Sequence, residues 1–190
     1  VITARFPSTD HADHSLNPMI VQFCYPTGDV IEPTTEYEMP RVHHFVLTQG
    51  SGRKLYATCL TVLEECNDPT VRAELAPVYT GAQCENGIEM SDHRGRSIPL
   101  YIPKVLCMLS AWPYLTAFRE YLSQLYKLAS TTNVMRAPLE RYILNICCEI
   151  PAPPPGAYEI RISILDSVIR FWAPPAKLPI AYVALPYHIL

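Results

Sequence analysis

Short apolar runs alternate with polar, turn-forming stretches along the first half of the chain. Residues 19–25 have the length and the branched or aromatic content of a β-strand, and residues 26–29 supply a turn after them. Two more β-rich runs, 43–48 and 53–64, flank the glycine-containing residues 49–52. In the second run both alternating rows of side chains are mostly apolar, which predicts a strand covered on both faces.

The pattern changes to helical spacing in the second half. A mostly apolar run at 104–109 is typical of a buried strand, and an amphipathic helix that begins with a proline follows it over 113–128. A second helix is predicted over 138–150. Pro138 suits its first position, and Glu140 suits the positive end of the helix dipole.

Two segments without regular periodicity predict the domain organisation. Residues 66–97 are expected to form a long surface insertion, with a short helix over 69–75. Residues 151–157 are rich in proline and are predicted to be a linker. We therefore expect a first lobe over 1–150 and the start of a second lobe over 158–190, which opens with a β-hairpin.

Composition excludes several classes of function. With 49% hydrophobic and 17% charged residues the chain is globular, and a net charge of −3 offers no basic stripe to a nucleic acid. Seven cysteines at scattered spacings indicate reduced, intracellular thiols. Residues 98–115 have the length of a short membrane span, but prolines interrupt them, so no transmembrane segment is predicted. The valine at position 1 and the apolar run 178–190 lead us to expect a fragment of a longer protein.

The motifs that suggest catalysis or cofactor binding are incomplete. Residues 50–54 (GSGRK) combine glycines with basic side chains, but a β-rich run follows where a phosphate-binding loop requires a helix. A hairpin turn is predicted there, and no cofactor. No G-x-S-x-G motif occurs, and Ser110 is expected to make a local hydrogen bond before a helix. We therefore assign no catalytic residue.

Metal binding is not predicted either. Residues 10–14 (DHADH) could contribute to a zinc site, but Cys24 and the histidines at 43–44 could join them only through folding, and no C-x-x-C is present. Cys147 and Cys148 are predicted to be small buried hydrophobes rather than a redox pair. Five aromatic residues are expected to lie in the core, with an exposed partner-binding patch as the alternative. They are Trp112, Tyr114, Phe118, Tyr121 and Tyr126.

Several blocks of sequence, taken in order, resemble the DENN domain family. The blocks are 6–11 (FPSTDH), 21–28 (VQFCYPTG), 44–59 (HFVLTQGSGRKLYATC), 101–113 (YIPKVLCMLSAWP), 138–143 (PLERYI) and 149–153 (EIPAP). The first three are similar to the upstream DENN portion and the others to the start of the central portion. The resemblance covers nearly the whole chain except the 66–97 insertion.

The resemblance implies an α/β fold, with a longin-like mixed sheet flanked by helices and then the truncated start of a second α/β lobe. It implies part of a guanine nucleotide exchange factor that promotes GDP release from a Rab-type small GTPase in vesicle traffic. Such a protein breaks no covalent bond, and the fragment alone is expected to be weak or inactive. The residues that contact the GTPase are unknown, because the matched blocks are chiefly fold-bearing.

Two other functions stay open. A longin-like adaptor or scaffold could bind a GTPase or a trafficking protein without exchange activity, and a metal-dependent hydrolase could use His11, His14 and His43. The exchange-factor hypothesis places the protein in the cytoplasm. There the rest of the chain would allow peripheral contact with endosomal, Golgi or vesicle membranes.

Overall fold

The structure, a computed structural model, describes residues 1–10, 15–25, 33–50, 52–80, 98–131, 137–154, 156–173 and 188–189, with the backbone alone at 75–80 and 188–189. The described elements, in chain order, are α1 (Ile20–Cys24), β1 (Arg41–Thr48), β2 (Lys54–Glu65), α2 (Pro69–Thr80), β3 (Tyr101–Ser110), α3 (Leu115–Ser130), α4 (Leu139–Leu144), a π-helical turn (Asn145–Glu149), β4 (Ile160–Ile164), β5 (Ser167–Phe171) and β6 (His188–Ile189).

The strands form two sheets. The larger has the order β1-β2-β3-β6, and β6 runs antiparallel to β3 with Ile189 opposite Met108. The smaller is the predicted antiparallel hairpin of β4 and β5, in which Ile162 lies opposite Ile169. The combination of antiparallel sheets and flanking helices confirms the predicted α/β, longin-like fold class.

The chain divides into two compact units. One comprises Val1–Pro26, Val42–Leu60 and Val105–Leu190, and the other comprises Thr27–Arg41 and Thr61–Lys104. The boundaries predicted from the sequence, at 1–150, 151–157 and 158–190, follow the linear order of the chain and stay predictions.

In the first unit α1 packs on one face of the strands. The residues of this core are Ile20 and Cys24 from α1, Ala57 and Cys59 from β2, and Cys107 and Leu109 from β3. On β2, Thr58 and Leu60 are as fully buried as Ala57 and Cys59 between them. The strand is therefore covered on both faces, as predicted.

In the second unit, backbone and side-chain hydrogen bonds connect α2 and the chain segments on either side of it. The backbone of Thr34 pairs with that of Tyr101 through two hydrogen bonds, at 2.9 and 2.7 Å. The guanidinium of Arg72, on α2, donates to the carbonyl oxygens of Cys66 at 3.0 Å and Ile98 at 2.5 Å. The predicted short helix at 69–75 is thus confirmed and extends to Thr80, whereas residues 81–97 of the predicted insertion lie outside the described residues.

Helix α3 confirms the amphipathic pattern of its sequence. Its buried residues recur at helical spacing: Ala117, Phe118, Tyr121, Leu122, Leu125 and Leu128. The Tyr121 hydroxyl donates to the carbonyl of Tyr142 on α4 at 2.7 Å, and burial raises the pKa of Tyr121, so the phenol stays a neutral donor. The predicted second helix is also present, as α4 followed by the π-helical turn.

Two predictions about local structure are wrong. Residues 20–24 form helix α1 rather than a strand, because Asn17 accepts from the backbone N–H of Ile20 and, through its side chain, from that of Met19. The apolar content of so short a run suits either structure, and burial of Ile20 and Cys24 four residues apart favours the helix. The buried strand predicted over 104–109 is wrong at Leu106, which is only half-buried, and full burial of β3 begins at Cys107.

Candidate functional site

The candidate binding surface is a small group of aromatic rings where α1 meets β1. We call Phe23, His43 and Phe45 the aromatic edge. The Phe23 and Phe45 ring centroids lie 5.7 Å apart, and those of His43 and Phe45 lie 6.3 Å apart. Phe23 is 48% exposed although it is a large apolar side chain. Exposed aromatic residues are enriched at protein–protein interfaces.

The position of the aromatic edge follows from two periodicities. His43 and Phe45 share a face of β1 because alternate side chains of a strand point the same way. Helix α1 covers that face, and His43 Nε2 donates to the Phe23 carbonyl oxygen at 3.2 Å, which ties the last turn of α1 to the strand. Among the described strands β1 has only β2 as a neighbour.

His44 faces the other side of β1. Its Nδ1 shares a hydrogen bond of 3.1 Å with the Thr58 hydroxyl, which is fully buried. Burial, and then the charges of His43 and Arg119, lower the pKa of His44. The lowered pKa favours the neutral imidazole, although His44 as a whole is an exposed residue of β1.

Three cysteines lie together behind the aromatic edge. Cys24 ends α1, Cys59 is in the middle of β2 and Cys107 is on β3, and their Sγ atoms all lie within 4.8 Å of one another. Hydrogen bonds from Cys107 and from Cys59 lower the pKa of Cys24 to about 4. Hydrogen bonds to Cys24 and Cys59 raise the pKa of Cys107. A hydrogen bond from Cys107 lowers the pKa of Cys59, but its hydrogen bond to Cys24 and its burial together outweigh that effect, so the pKa of Cys59 is raised.

This cluster is not among the candidate metal sites that the sequence suggests. Cys24 is combined there only with histidines, and the candidate ligands lie at close sequence spacing. A detectable signal was nevertheless present, because each of the three cysteines lies within an apolar run of its own. The six cysteines that the structure describes are free thiols.

The glycine motif at 50–54 is a hairpin turn, as predicted. The Gly52 N–H donates to the Gln49 carbonyl at 2.8 Å, and Gly52 has a φ of 79°, in the region that favours glycine. Strand β2 follows directly, so no helix N-terminus is available to a phosphate.

The residues proposed for zinc do not come together in the described part of the chain. His11 and His14 lie outside the described residues, and Asp10 pairs with Arg5 at 2.7 Å. His43 belongs to the aromatic edge. The predicted local role of Ser110 is confirmed, since its buried hydroxyl accepts from the Trp112 N–H at 3.0 Å.

Most of the aromatic residues near α3 are core residues, as predicted. Trp112, Tyr114, Phe118 and Tyr121 are buried, and Tyr126 is half-buried. They therefore do not form an exposed patch.

The adjacent cysteines are predicted to be small buried hydrophobes, one on the apolar stripe and its neighbour nearer the flank, and this prediction is wrong for Cys148. Cys148 is exposed, and Cys147 is partly covered, with burial raising its pKa to about 12. The reason is helical spacing, because Cys147 directly follows the buried Ile146 whereas Cys148 lies one residue further around the helix, away from the apolar stripe.

An open surface depression lies beside the proline-rich segment. It is lined by Gly156, Ala157, Glu159, Arg161 and Trp172. Arg161 pairs with Glu159 at 2.6 Å, and both belong to an exposed stretch of chain. The lining holds neither a nucleophile nor a buried acid–base pair, so it does not suggest catalysis.

Among the helices of the described residues, none combines the length and the apolar character that a membrane crossing requires.

Comparison with known proteins identifies the family. Residues 1–62 match the uDENN domain and residues 101–186 match the DENN (AEX-3) domain. The chain is similar to the DENN domain and WD repeat-containing protein SCD1 of Arabidopsis thaliana, with 22% identity over 190 residues, 95% of this chain and 14% of that protein. It therefore spans about one seventh of that relative. No solved structure matches the chain.

DENN domains occur in proteins that generally act as exchange factors for Rab GTPases, and they generally engage small GTPases. Two DENN-type domains match in the order that the sequence blocks predicted, and together they cover most of the chain. This chain belongs to the DENN family.

Proposed function

We propose that this chain is part of a DENN-type guanine nucleotide exchange factor that promotes GDP release from a Rab GTPase in vesicle traffic. The observation that carries the proposal is the ordered pair of uDENN and DENN matches at 1–62 and 101–186. In keeping with it, the candidate site is a partly exposed aromatic surface on a packed sheet, which suits binding rather than covalent chemistry.

Exchange requires a preference for one state of the partner. An exchange factor binds the GTPase more tightly when nucleotide and Mg²⁺ are weakly held, so binding shifts the GTPase toward that state. Each increment of about 1.4 kcal/mol by which the exchange factor prefers this state lowers the affinity of the GTPase for nucleotide about tenfold. A rigid surface with a few well-placed contacts is sufficient for this effect.

We propose the aromatic edge as part of the GTPase-binding surface. Phe23 lies in the last turn of α1, is half-exposed and contacts the Phe45 ring, and this contact would limit the conformational freedom that it loses on binding. Strand β1 also ends the order of the described strands in its sheet, a position at which a partner could add backbone hydrogen bonds. These contacts of the aromatic edge and of β1 would contribute to the affinity for the GTPase, and the second lobe would add further contacts.

Binding to a panel of purified Rab GTPases tests the proposal. The full-length protein should capture at least one Rab, and capture should be stronger from nucleotide-free than from GDP-loaded GTPase. Equal capture of both forms, or none across the panel, counts against exchange activity. Nucleotide-sensitive binding without faster GDP release would instead identify an adaptor.

The domain division and location belong to the same proposal. Residues 1–150 would form the upstream lobe, 151–157 the linker and 158–190 the start of the central lobe. Since exchange surfaces in this family are shared between lobes, the 190-residue chain alone should accelerate GDP release little. The protein would act in the cytoplasm and reach endosomal, Golgi or vesicle membranes peripherally.

A further inference from the structure

Three thiols from distant parts of the chain converge in the core of the first unit. Cys24, Cys59 and Cys107 come from a helix and two neighbouring strands, and each is at most 6% exposed, with Cys59 and Cys107 at 0% and Cys24 at 6%. Their surroundings are apolar, with Ile20, Ala57 and Leu109 in the same core. Small buried cysteines are common, but the meeting of three sulfur atoms is a constellation that can hold a metal ion.

The spacing of the sulfurs matches that of a thiolate metal site. The Sγ atoms of Cys24 and Cys59 lie 4.0 Å apart, and all three lie within 4.8 Å of one another. With metal–sulfur bonds of about 2.3 Å, three sulfurs in a plane around one ion lie about 4.0 Å apart. The side chains therefore need to move by only a fraction of an ångström to close around an ion.

Metal binding at such a site is coupled to proton release, because each thiol that binds the ion as a thiolate gives up its proton to solvent.

The ligand set separates the candidate metals. Among the described residues no histidine or carboxylate joins the three sulfurs, so zinc would need a water as its fourth ligand in a core whose described lining is apolar. Hard cations such as Mg²⁺ and Ca²⁺ require oxygen ligands. Soft thiolate ligands select Cu(I), which three sulfurs can satisfy. We propose that Cys24, Cys59 and Cys107 form a three-coordinate site for Cu(I).

Such an ion would join three elements of the fold. It would connect the end of α1 to β2 and β3, and α1 also carries Phe23 of the aromatic edge. Bound Cu(I) should therefore stabilise the folded chain, because the unfolded chain does not hold the three sulfurs together. This inference does not depend on the exchange activity.

The test is an anaerobic titration of the reduced 190-residue chain with Cu(I) in the presence of the chromophoric chelator bathocuproine disulfonate. We expect one ion per chain to be retained against the chelator, and the melting temperature to rise. X-ray absorption should count three sulfur neighbours around copper. Cys59→Ala and Cys107→Ala should each weaken Cu(I) binding by about 100-fold or more, because loss of a metal ligand should cost more than loss of an outer-shell residue.

The adjacent Cys147 and Cys148 provide the matched control, because an exposed cysteine and its neighbour could bind copper adventitiously. The double variant Cys147→Ser/Cys148→Ser should retain the ion and the three-sulfur signal. Loss of the ion in that variant, a count of two sulfurs, or tighter binding of Zn²⁺ than of Cu(I) would each overturn the proposal. If an alanine variant fails to fold, the sulfur count in the unmodified chain decides the question.

Discussion

The rings of Tyr114 and Phe171 meet edge to face, with centroids 5.1 Å apart and planes at 61°. Tyr114 directly precedes α3 and Phe171 ends β5, and each is only 5% exposed. The Trp112 ring stacks on Tyr114 at 6.1 Å. The hairpin that follows the proline-rich segment is therefore anchored to the start of α3, within one compact unit.

Removal of the Phe171 ring should destabilise the protein. Phe171→Ala leaves a cavity beside Tyr114, so we expect the free energy of unfolding to fall by about 3 kcal/mol, measured by urea denaturation. Trp172→Ala is the matched control, since that neighbouring ring is 57% exposed and should change stability little. Equal effects of the two substitutions would contradict the packing described for β5.

Strand β3 is sensitive at its buried end. Leu109 is fully buried in the core under α1, and Leu109→Ala should lower the free energy of unfolding by about 3 kcal/mol. Lys104→Ala, on the same strand, removes an exposed ion pair of 2.9 Å with Glu64 and should cost at most about 1 kcal/mol. Chemical denaturation measures the free energy of unfolding of both variants. If the Leu109 variant is as stable as the Lys104 variant, Leu109 is not part of the core.

Acidification should destabilise the folded state through His44. Its pKa is lowered in the folded chain, so below about pH 6.5 the unfolded chain takes up the proton more readily. The preference of the folded state for neutral His44 therefore does not reduce stability above about pH 6.5, and the free energy of unfolding decreases as the pH falls below that value.

The check is the free energy of unfolding between pH 8 and pH 5 for the natural chain and for His44→Gln. Glutamine retains a hydrogen-bonding partner for Thr58 but does not titrate, so its pH profile should be flatter in this window. Parallel profiles would show that His44 is protonated equally in both states.

The aromatic edge should matter for binding more than for folding. Phe23→Ser should weaken capture of the GTPase about tenfold or more, as expected for a central aromatic contact. Because the ring is half-exposed, the loss of stability should be about 1 kcal/mol, mainly from the contact with Phe45.

Met39→Ser is the control for that experiment, because Met39 is 77% exposed and lies outside the aromatic edge. Binding and thermal melting should be measured on both variants. Undiminished binding by the Phe23 variant would remove the aromatic edge from the proposed GTPase surface.

Elements with long, regular patterns could be predicted from the sequence. The two apolar rows of β2 and the helical stripe of α3 each repeat often enough to indicate one structure. Helix α1 has only five residues, too few for its period to be distinguished, and its formation depends on bonds to Asn17. The partial burial of Leu106 was also not predictable, since the residue at which a strand becomes buried depends on the elements that pack against it.

The cysteine cluster could not be predicted for a related reason. Cys24 and Cys59 are separated by 35 residues in the sequence, and they meet only because α1 covers the face of β2 on which Cys59 lies. Sequence spacing reports ligands within one loop or helix, but not ligands brought together by strand order. The aromatic edge depends on the same packing of α1 against β1.

Release of fluorescent GDP from Rab GTPases tests the central claim most directly. Full-length protein, added to GTPases loaded with the labelled nucleotide and an excess of unlabelled GTP, should accelerate release from at least one Rab by about tenfold or more. Phe23→Ser protein should accelerate it less. Release at the intrinsic rate from every Rab that the protein binds would contradict the account and identify this DENN protein as an adaptor.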